Sequence, residues 1–450
     1  MSSSPVDRER RIVHATVVTQ DDARQIVTDG EVAYSAATGL ITYVGPTRGP
    51  AAAGDLDAAG AIVMPGLVNA HTHSAMTPLR GYSDDRDLQA WLAGIRAFEE
   101  LMTAADVRAG LQLALAEMIR NGITCFADMF LWDETLLGDV ASAGVRVLAA
   151  PAVFGYDALG YPGASAQTGR DALALTEQLA ATFAGDDLVR IAFGPHAPYT
   201  CPPELLSDVA ARAARLGVPV HIHLSETAFE VEQCRSQHGR TPIELARDCG
   251  LFGGPVLVAH CVHPGPSDLE ILAAADASVS HNPVSNLKLG AGIAPLTELR
   301  AAGVRTALGT DSVASNNNLD LFEEIKTGTI VHRGRHEVSD LVSGSELLDM
   351  ATRDGAAAVG FGSSGVLAAG RAADLIVLAV DSTRATPLIS PVSFLTFAAR
   401  GDDVRHVIVG GRELMRDGTL LTVDEDAARA AVAATAARIT AQIPPAFPMV

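Results

Sequence analysis

Two His-x-His pairs stand in this chain, His71-Thr72-His73 closing one apolar run and His221-Ile222-His223 lying inside another. On an extended strand, positions i and i+2 share a face, roughly 6–7 Å apart along the chain, so two imidazoles from one segment can reach one cation. The run Met64-Pro65-Gly66-Leu67-Val68-Asn69-Ala70 delivers His71 and His73 and gives them no evident structural duty, so both read as metal ligands. A third imidazole must come from elsewhere. His223 is preferred to His221 because Glu226 follows three residues later, just past the strand end, where a carboxylate can act on a water held by the ion. His221 lies one layer deeper on the same face and reads as a core histidine. Asp311, emerging after Ala307-Leu308-Gly309-Thr310, supplies a carboxylate. Three imidazoles and one carboxylate suit Zn²⁺, and Fe²⁺ or Mn²⁺ are compatible.

One ion is expected rather than two. Two-metal barrel hydrolases commonly bridge their ions with a carbamylated lysine on the fourth strand, and the only lysines, Lys288 and Lys326, do not lie there. The Cys-x-x-Cys ligand pair of cytidine-type zinc deaminases is absent.

Ligands so far apart in sequence need an architecture that gathers them. Eight strand-like runs, Ile62–His71, Ile123–Met129, Val145–Phe154, Val189–Pro195, Val218–Leu224, Val256–His260, Ala277–His281 and Val304–Thr310, alternate with Ala-, Leu-, Glu- and Arg-rich helical stretches. This is the pattern of an α/β fold, a (β/α)8 TIM-type barrel. The reactive side chains fall at C-terminal strand ends, where barrel active sites are built: His71 and His73, His196, His223 with Glu226, His260, and Asp311. Short β-branched runs at both chain ends, Arg11–Val18, Leu40–Val44, Asp374–Val380 and Val404–Val409, predict a small composite β-sandwich domain from residues 1–60 and 365–450, set against a catalytic barrel of residues 61–364. The Ala-rich stretch Asp424–Gln442 reads as an amphipathic terminal helix.

Composition narrows the class. In 450 residues, 33 Lys+Arg face 53 Asp+Glu, a net charge of −20 that offers no basic stripe for a nucleic-acid backbone. Hydrophobic residues at 48% against 19% charged describe a folded globular chain and not a disordered one. The N-terminal MSSSPVDRERR has no apolar stretch behind its charges, and no window approaches a membrane span, so a cytoplasmic protein without membrane association is expected. Five cysteines without a C-x-x-C pair suit free thiols in a reducing compartment. A homo-oligomer acting on a small molecule is the expected assembly.

The segments PGLVNAHTHSAMTPLRG (65–81), GPHAPYTC (194–201), HIHLSET (221–227), AHCVH (259–263), SHNPVSNLKLGAGIAP (280–295) and LGTDSVASNNN (308–318) resemble the amidohydrolase superfamily, and within it the 5-methylthioadenosine/S-adenosylhomocysteine deaminases. GVLAAGRAADLIV (365–377) resembles the start of the second half of that group's composite β domain. The resemblance implies that His71, His73, His223 and Asp311 bind the metal, that Glu226 and His260 flank its water, and that His196 and Glu99 contact a purine nucleoside. The implied chemistry is hydrolytic deamination at C6 of adenine. Glu226 would carry a proton to the adjacent ring nitrogen and Asp311 would pass the second proton to the departing amine. Because the chain is one residue shorter than the family pattern between Trp91 and Glu99, Glu100 is an alternative to Glu99. Ala149-Ala150-Pro151-Ala152 lacks the arginine that some relatives use for the amino-acid tail of S-adenosylhomocysteine, and Arg170 is the candidate replacement from the following loop. Adenosine, 5′-deoxyadenosine and methylthioadenosine fit without it. The same site could serve an s-triazine or guanine hydrolase. A non-catalytic scaffold would have lost ligands that are all present here.

Overall fold

The computed structural model describes residues 9–443. Most of the N-terminal MSSSPVDRERR, residues 1–8, and the chain end at 444–450 lie outside them. The N-terminal stretch forms β1 (Glu9–Val18), β2 (Ile26–Ser35), β3 (Ile41–Pro46), β4 (Leu56–Asp57) and β5 (Ile62–Pro65). There follow β6 (Leu67–Thr72), β7 (Ile123–Phe130), β8 (Arg146–Val153), β9 (Val189–Ile191), β10 (Gly194–Pro195), β11 (Val220–Leu224), β12 (Val256–His260), β13 (Ser278–His281) and β14 (Arg305–Leu308). The C-terminal part adds β15 (Leu375–Leu378), β16 (Val404–Val409), β17 (Arg412–Arg416) and β18 (Thr419–Leu420).

Strands β6 to β14 are parallel and interleaved with helices, the α/β content of a TIM-type barrel. They pair as β10-β8-β7-β6, with β9 also on β8, and as β11-β12-β13-β14. Backbone bonds join the two sets at both seams. On one side the amide of His221 donates to the Phe193 carbonyl at 2.9 Å and that of His223 to the His196 carbonyl at 3.1 Å. On the other, Asp311 N–H donates to the His71 carbonyl at 2.9 Å, and Asn69 exchanges two hydrogen bonds with Thr310. Every residue of β7 is buried. A strand covered on both faces must be apolar nearly throughout, which is why these runs were continuous in sequence.

The strand expected over Ile62–His71 is instead two strands in different sheets. β5 pairs with β1 and β15, whereas β6 pairs with β7. The break falls at Gly66, whose N–H donates to the Asp374 carbonyl at 3.1 Å and where a Cβ would meet the Thr124 side chain at 2.2 Å. The fourth expected strand, Val189–Pro195, is likewise interrupted, as β9 and β10.

Both chain ends enter one nine-stranded sheet, ordered β18-β17-β16-β15-β5-β1-β2-β3 with β4 alongside β1. Its strand β2 carries Asp29 and Glu31 and gave no apolar signal. Glu31 is nevertheless buried, because Arg11 and Arg48 pair with it at 2.8 and 2.6 Å and, by hydrogen bonds that outweigh burial, hold its carboxyl at about 2.

Two helices shape the site. Helix α1 (Leu88–Glu99) starts on Asp87, whose side chain accepts from Ala90 N–H, and buries Leu88, Trp91, Ile95, Phe98 and Glu99. Those positions repeat at helical spacing and form one face. Helix α2 (Ala104–Arg120) starts on a Thr103/Asp106 capping box and packs against the C-terminal helix Glu425–Thr440, where Thr435 Oγ1 donates to Asp106 at 2.6 Å. No helix among the described residues is long and apolar enough to cross a membrane.

Candidate active site

The ends of β6, β11, β12 and β14 bring His71, His73, His223, His260 and Asp311 together. The ligating atoms of His71, His73 and His223 lie within 4.8 Å of one another, as do those of His71, His260 and Asp311. Asp311 Oδ1 stands 3.4 Å from Nε2 of both His71 and His73. Tetrahedral Zn²⁺ with bonds of about 2.1 Å places its ligand atoms about 3.4 Å apart, so this spacing suits a single small cation.

The imidazoles are oriented for that purpose. His73 Nδ1 lies 2.5 Å from the Met129 carbonyl and His223 Nδ1 2.8 Å from that of His196. Each Nδ1 must therefore carry the proton, which leaves the Nε2 lone pair for a metal. His71 Nδ1 meets His221 Nε2 at 3.0 Å, while His71 Nε2 is buried without a hydrogen-bond partner. A buried nitrogen left unpaired is costly, and a bound cation would satisfy it. The residues present thus fit a divalent metal ion.

Burial lowers His71 to about 4 and carries His223 well below the ordinary range, so both stay neutral, the form a metal binds. Burial alone would raise Asp311, but the close imidazoles of His71, His260 and His73 hold it well below the usual carboxylate value. Its other oxygen accepts from Ser285 at 2.5 Å and Ser315 at 3.0 Å. Glu226 shifts the opposite way. Burial first, then the nearby Asp311 charge, raises it well above the usual range, which favours its protonated form. His260 sits 3.9 Å from it and is fixed through Nδ1 by Asn286 Oδ1 at 2.8 Å. Ser225, His260 and Asp311 all adopt left-handed backbone, φ +56°, +72° and +59°. Strained conformations at three strand ends around one point are characteristic of a functional site.

His73, His223, Glu226, His260 and Asp311 line a cavity partly open to solvent, with Trp91, Ile95, Phe130, Phe154 and Tyr161 in its walls. Glu99 and His196 also line it. Burial pushes Glu99 up to about 7 and His196 down to about 3. Glu100 points away and pairs with Arg96 at 3.1 Å. Arg170 is not brought to the cavity: its guanidinium is exposed, pairs with Asp157 at 3.1 Å and stacks over Tyr156. Its position on the first turn of helix Gly169–Thr182 turns it to solvent, which corrects the expectation that it replaces the missing arginine.

Residues 62–414 match the model of the amidohydrolase family. The chain belongs to this family. A 5-methylthioadenosine/S-adenosylhomocysteine deaminase of Halobacterium salinarum is 42% identical over 418 residues, 92% of this chain and 95% of that one. Among solved structures, an adenosine deaminase from Xanthomonas campestris with bound zinc superposes with a TM-score of 0.90 at 31% identity, covering 96% of this chain and 98% of the other. An atrazine chlorohydrolase from Arthrobacter aurescens complexed with zinc has a TM-score of 0.85 at 24% identity, covering 95% and 100%, and shares the fold.

Several residues of this amidohydrolase site were missed in sequence. Asp128 accepts Ser74 N–H at 2.5 Å and Trp132 Nε1 at 3.0 Å, fixing the turn that follows His73. A carboxylate inside the otherwise apolar run Ile123–Phe130 was the available signal. His221 is buried as expected, yet it also buttresses His71. Ser285 and Ser315 hold Asp311, and Asn286 holds His260. Of the other histidines, His263 bonds the Ala291 carbonyl at 2.7 Å and His281 meets His332 at 3.1 Å.

Proposed function

We propose that this amidohydrolase is a hydrolytic deaminase of adenine nucleosides that uses one divalent ion, Zn²⁺ by its donor set, held by His71, His73, His223 and Asp311. The observation that carries the reading is the buried Glu226 carboxyl beside that ligand cluster in a cavity with aromatic walls. When bound, such an ion lowers the pKa of water toward neutrality and makes hydroxide available. Glu226 takes the first proton from the attacking water and delivers it to the ring nitrogen next to C6 as the ring carbon becomes tetrahedral. His260, held through Nδ1, keeps Nε2 free to orient the attacking oxygen. Asp311 takes the remaining proton and passes it to the departing amine, and ammonia and an inosine-type product leave.

Glu99 accepts from the ribose hydroxyls and His196 meets the purine. Among the described residues no lysine or arginine lines the cavity, and Arg96 at its rim is committed to Glu100 and to the carbonyls of Leu159 and Gly160. A buried carboxylate without a counter-cation is strongly disfavoured, so small neutral 5′ groups are preferred to the homocysteine tail. The aromatic walls stack the base and bury a methyl or methylthio group.

The described residues divide as a composite β domain of residues 9–60 and 365–443 about a catalytic barrel of 61–364. The nine-stranded sheet of both ends supports this division, with Ile62–Pro65 contributing a strand to that sheet. The five cysteines, none in a disulfide, support a cytoplasmic setting.

Ammonia release measured across adenosine, 5′-deoxyadenosine, methylthioadenosine, S-adenosylhomocysteine, guanine and a chlorotriazine tests the reading. The first three are expected to react, with S-adenosylhomocysteine at least about tenfold lower in kcat/KM. Chloride release from the triazine with no ammonia from any nucleoside would contradict it.

A further inference from the structure

The carboxylate that follows Glu226 by one helical turn has no part in the proton transfers above, and it occupies an unusual place. Helix Ala228–His238 begins on Thr227, whose side chain accepts from Glu230 N–H, so Glu230 stands at the third helical position. At the four other helix starts among the described residues that combine a Thr or Ser cap with an acid at that position, the acid bonds back to the N–H of the capping residue itself. The pairs are Asp106 to Thr103, Asp171 to Thr168, Glu244 to Thr241 and Glu346 to Ser343, at 2.7, 2.9, 3.0 and 2.7 Å. Such capping boxes serve helix initiation. Glu230 reaches further: Oε1 accepts from Ser225 N–H at 3.0 Å and Oε2 from Glu226 N–H at 2.7 Å.

That choice is costly. Glu230 and Glu226 are both buried, and burial together with the Glu226 charge pushes the Glu230 carboxyl up to about 7 against the two amides that favour its anion. What it secures is the left-handed turn at Ser225. The Ser225 carbonyl in turn accepts from Val262 and His263 N–H, both at 2.9 Å, in the turn that follows His260.

We infer that Glu230 is a positioning residue for the reaction, its carboxylate clamping the Ser225–Glu226 backbone so that the Glu226 side chain meets the reacting ring, with His260 held through the same turn. This rests on the deaminase reading. A loosened turn leaves substrate binding at Glu99 and the ligand set on their own strands, and costs rate because proton transfer tolerates little misplacement.

The test is steady-state deamination of adenosine or methylthioadenosine by Glu230→Ala, Glu230→Gln and, as a control for a capping box alone, Glu244→Ala, with metal content and thermal midpoint read on the same samples. The clamp predicts that Glu230→Ala lowers kcat by at least about thirtyfold with KM within about threefold and metal retained. Glu230→Gln falls between, since its amide oxygen can still accept one N–H. Glu244→Ala lowers the midpoint without lowering kcat. Should Glu230→Ala fail to fold, the Gln variant carries the test through its kcat and KM. Either Glu230 variant keeping wild-type kcat at a lowered midpoint, as the control does, would overturn the clamp while leaving the deaminase reading intact. Wild-type enzyme that releases no ammonia from any adenine nucleoside would overturn both.

Discussion

A cation site needs imidazoles that are neutral, aimed and short of partners, and at each ligand a particular contact supplies these properties. Carbonyl oxygens of Met129 and His196 fix the tautomers of His73 and His223, and burial keeps His71 and His223 uncharged. The same desolvation acts on acids with the opposite sign, so Glu99 is protonated below about 7 and ionised above. Only the anion accepts from two hydroxyls at once. Wild-type kcat/KM for adenosine is therefore expected to rise as pH increases through this range, and Glu99→Gln to lose that limb while raising KM about tenfold or more. Paired pH–rate profiles check this, and an unchanged profile in the variant would remove Glu99 from the binding step. The clustering of His71, His73, His223 and Asp311 was legible in sequence because a strand has a period of two and its C-terminal end faces the mouth of a barrel. Their supports were not: His221 reaches His71 from another strand, and Glu230 reaches the Ser225–Glu226 turn from a helix, through contacts that depend on register and turn geometry.

At the scale of elements, the eight runs were legible because parallel strands buried on both faces are continuous apolar segments. Where one run serves two sheets, hydropathy is silent, and Ile62–His71 looked like one strand because β5 and β6 are equally buried on either side of Gly66. Strand β2 escaped notice for the converse reason, its buried Glu31 being neutralised by arginines distant in sequence. The seam that closes the barrel beside Asp311 depends on another glycine. A Cβ at Gly309 would lie 2.5 Å from the side chains of Ser280 and Asn282 and 2.8 Å from His71 N. Gly309→Ala must part β14 from β6, separating Asp311 from His71. The expected outcome is a loss of about 1–3 kcal/mol in stability from overpacking, with activity and retained metal both reduced about tenfold or more. Thermal unfolding, metal content and ammonia release on one preparation measure all three, and full activity in the Gly309→Ala variant would mean that the seam can relax.

Across the whole molecule, the sheet from the chain ends is tied to the barrel by buried polar contacts. Arg146 of β8 pairs with Asp374 at 2.6 Å, and Asp374 also accepts from Ser364 and Gly410 N–H. Breaking a buried pair strands a charge, so β15 and the barrel strands are held in one arrangement. The net charge of −20 and a cavity lined by no lysine or arginine among the described residues fit the small neutral substrate proposed above. The single metal centre proposed above is tested most directly by metal stoichiometry coupled to activity. The protein is stripped with a chelator and retitrated with Zn²⁺, in parallel with His73→Ala and Asp311→Ala. Ammonia release should vanish on stripping, return in proportion to added zinc and level off at one ion per chain, with both variants failing to recover. Activity that survives stripping, or that climbs until two ions are bound, would contradict a single ion held by His71, His73, His223 and Asp311.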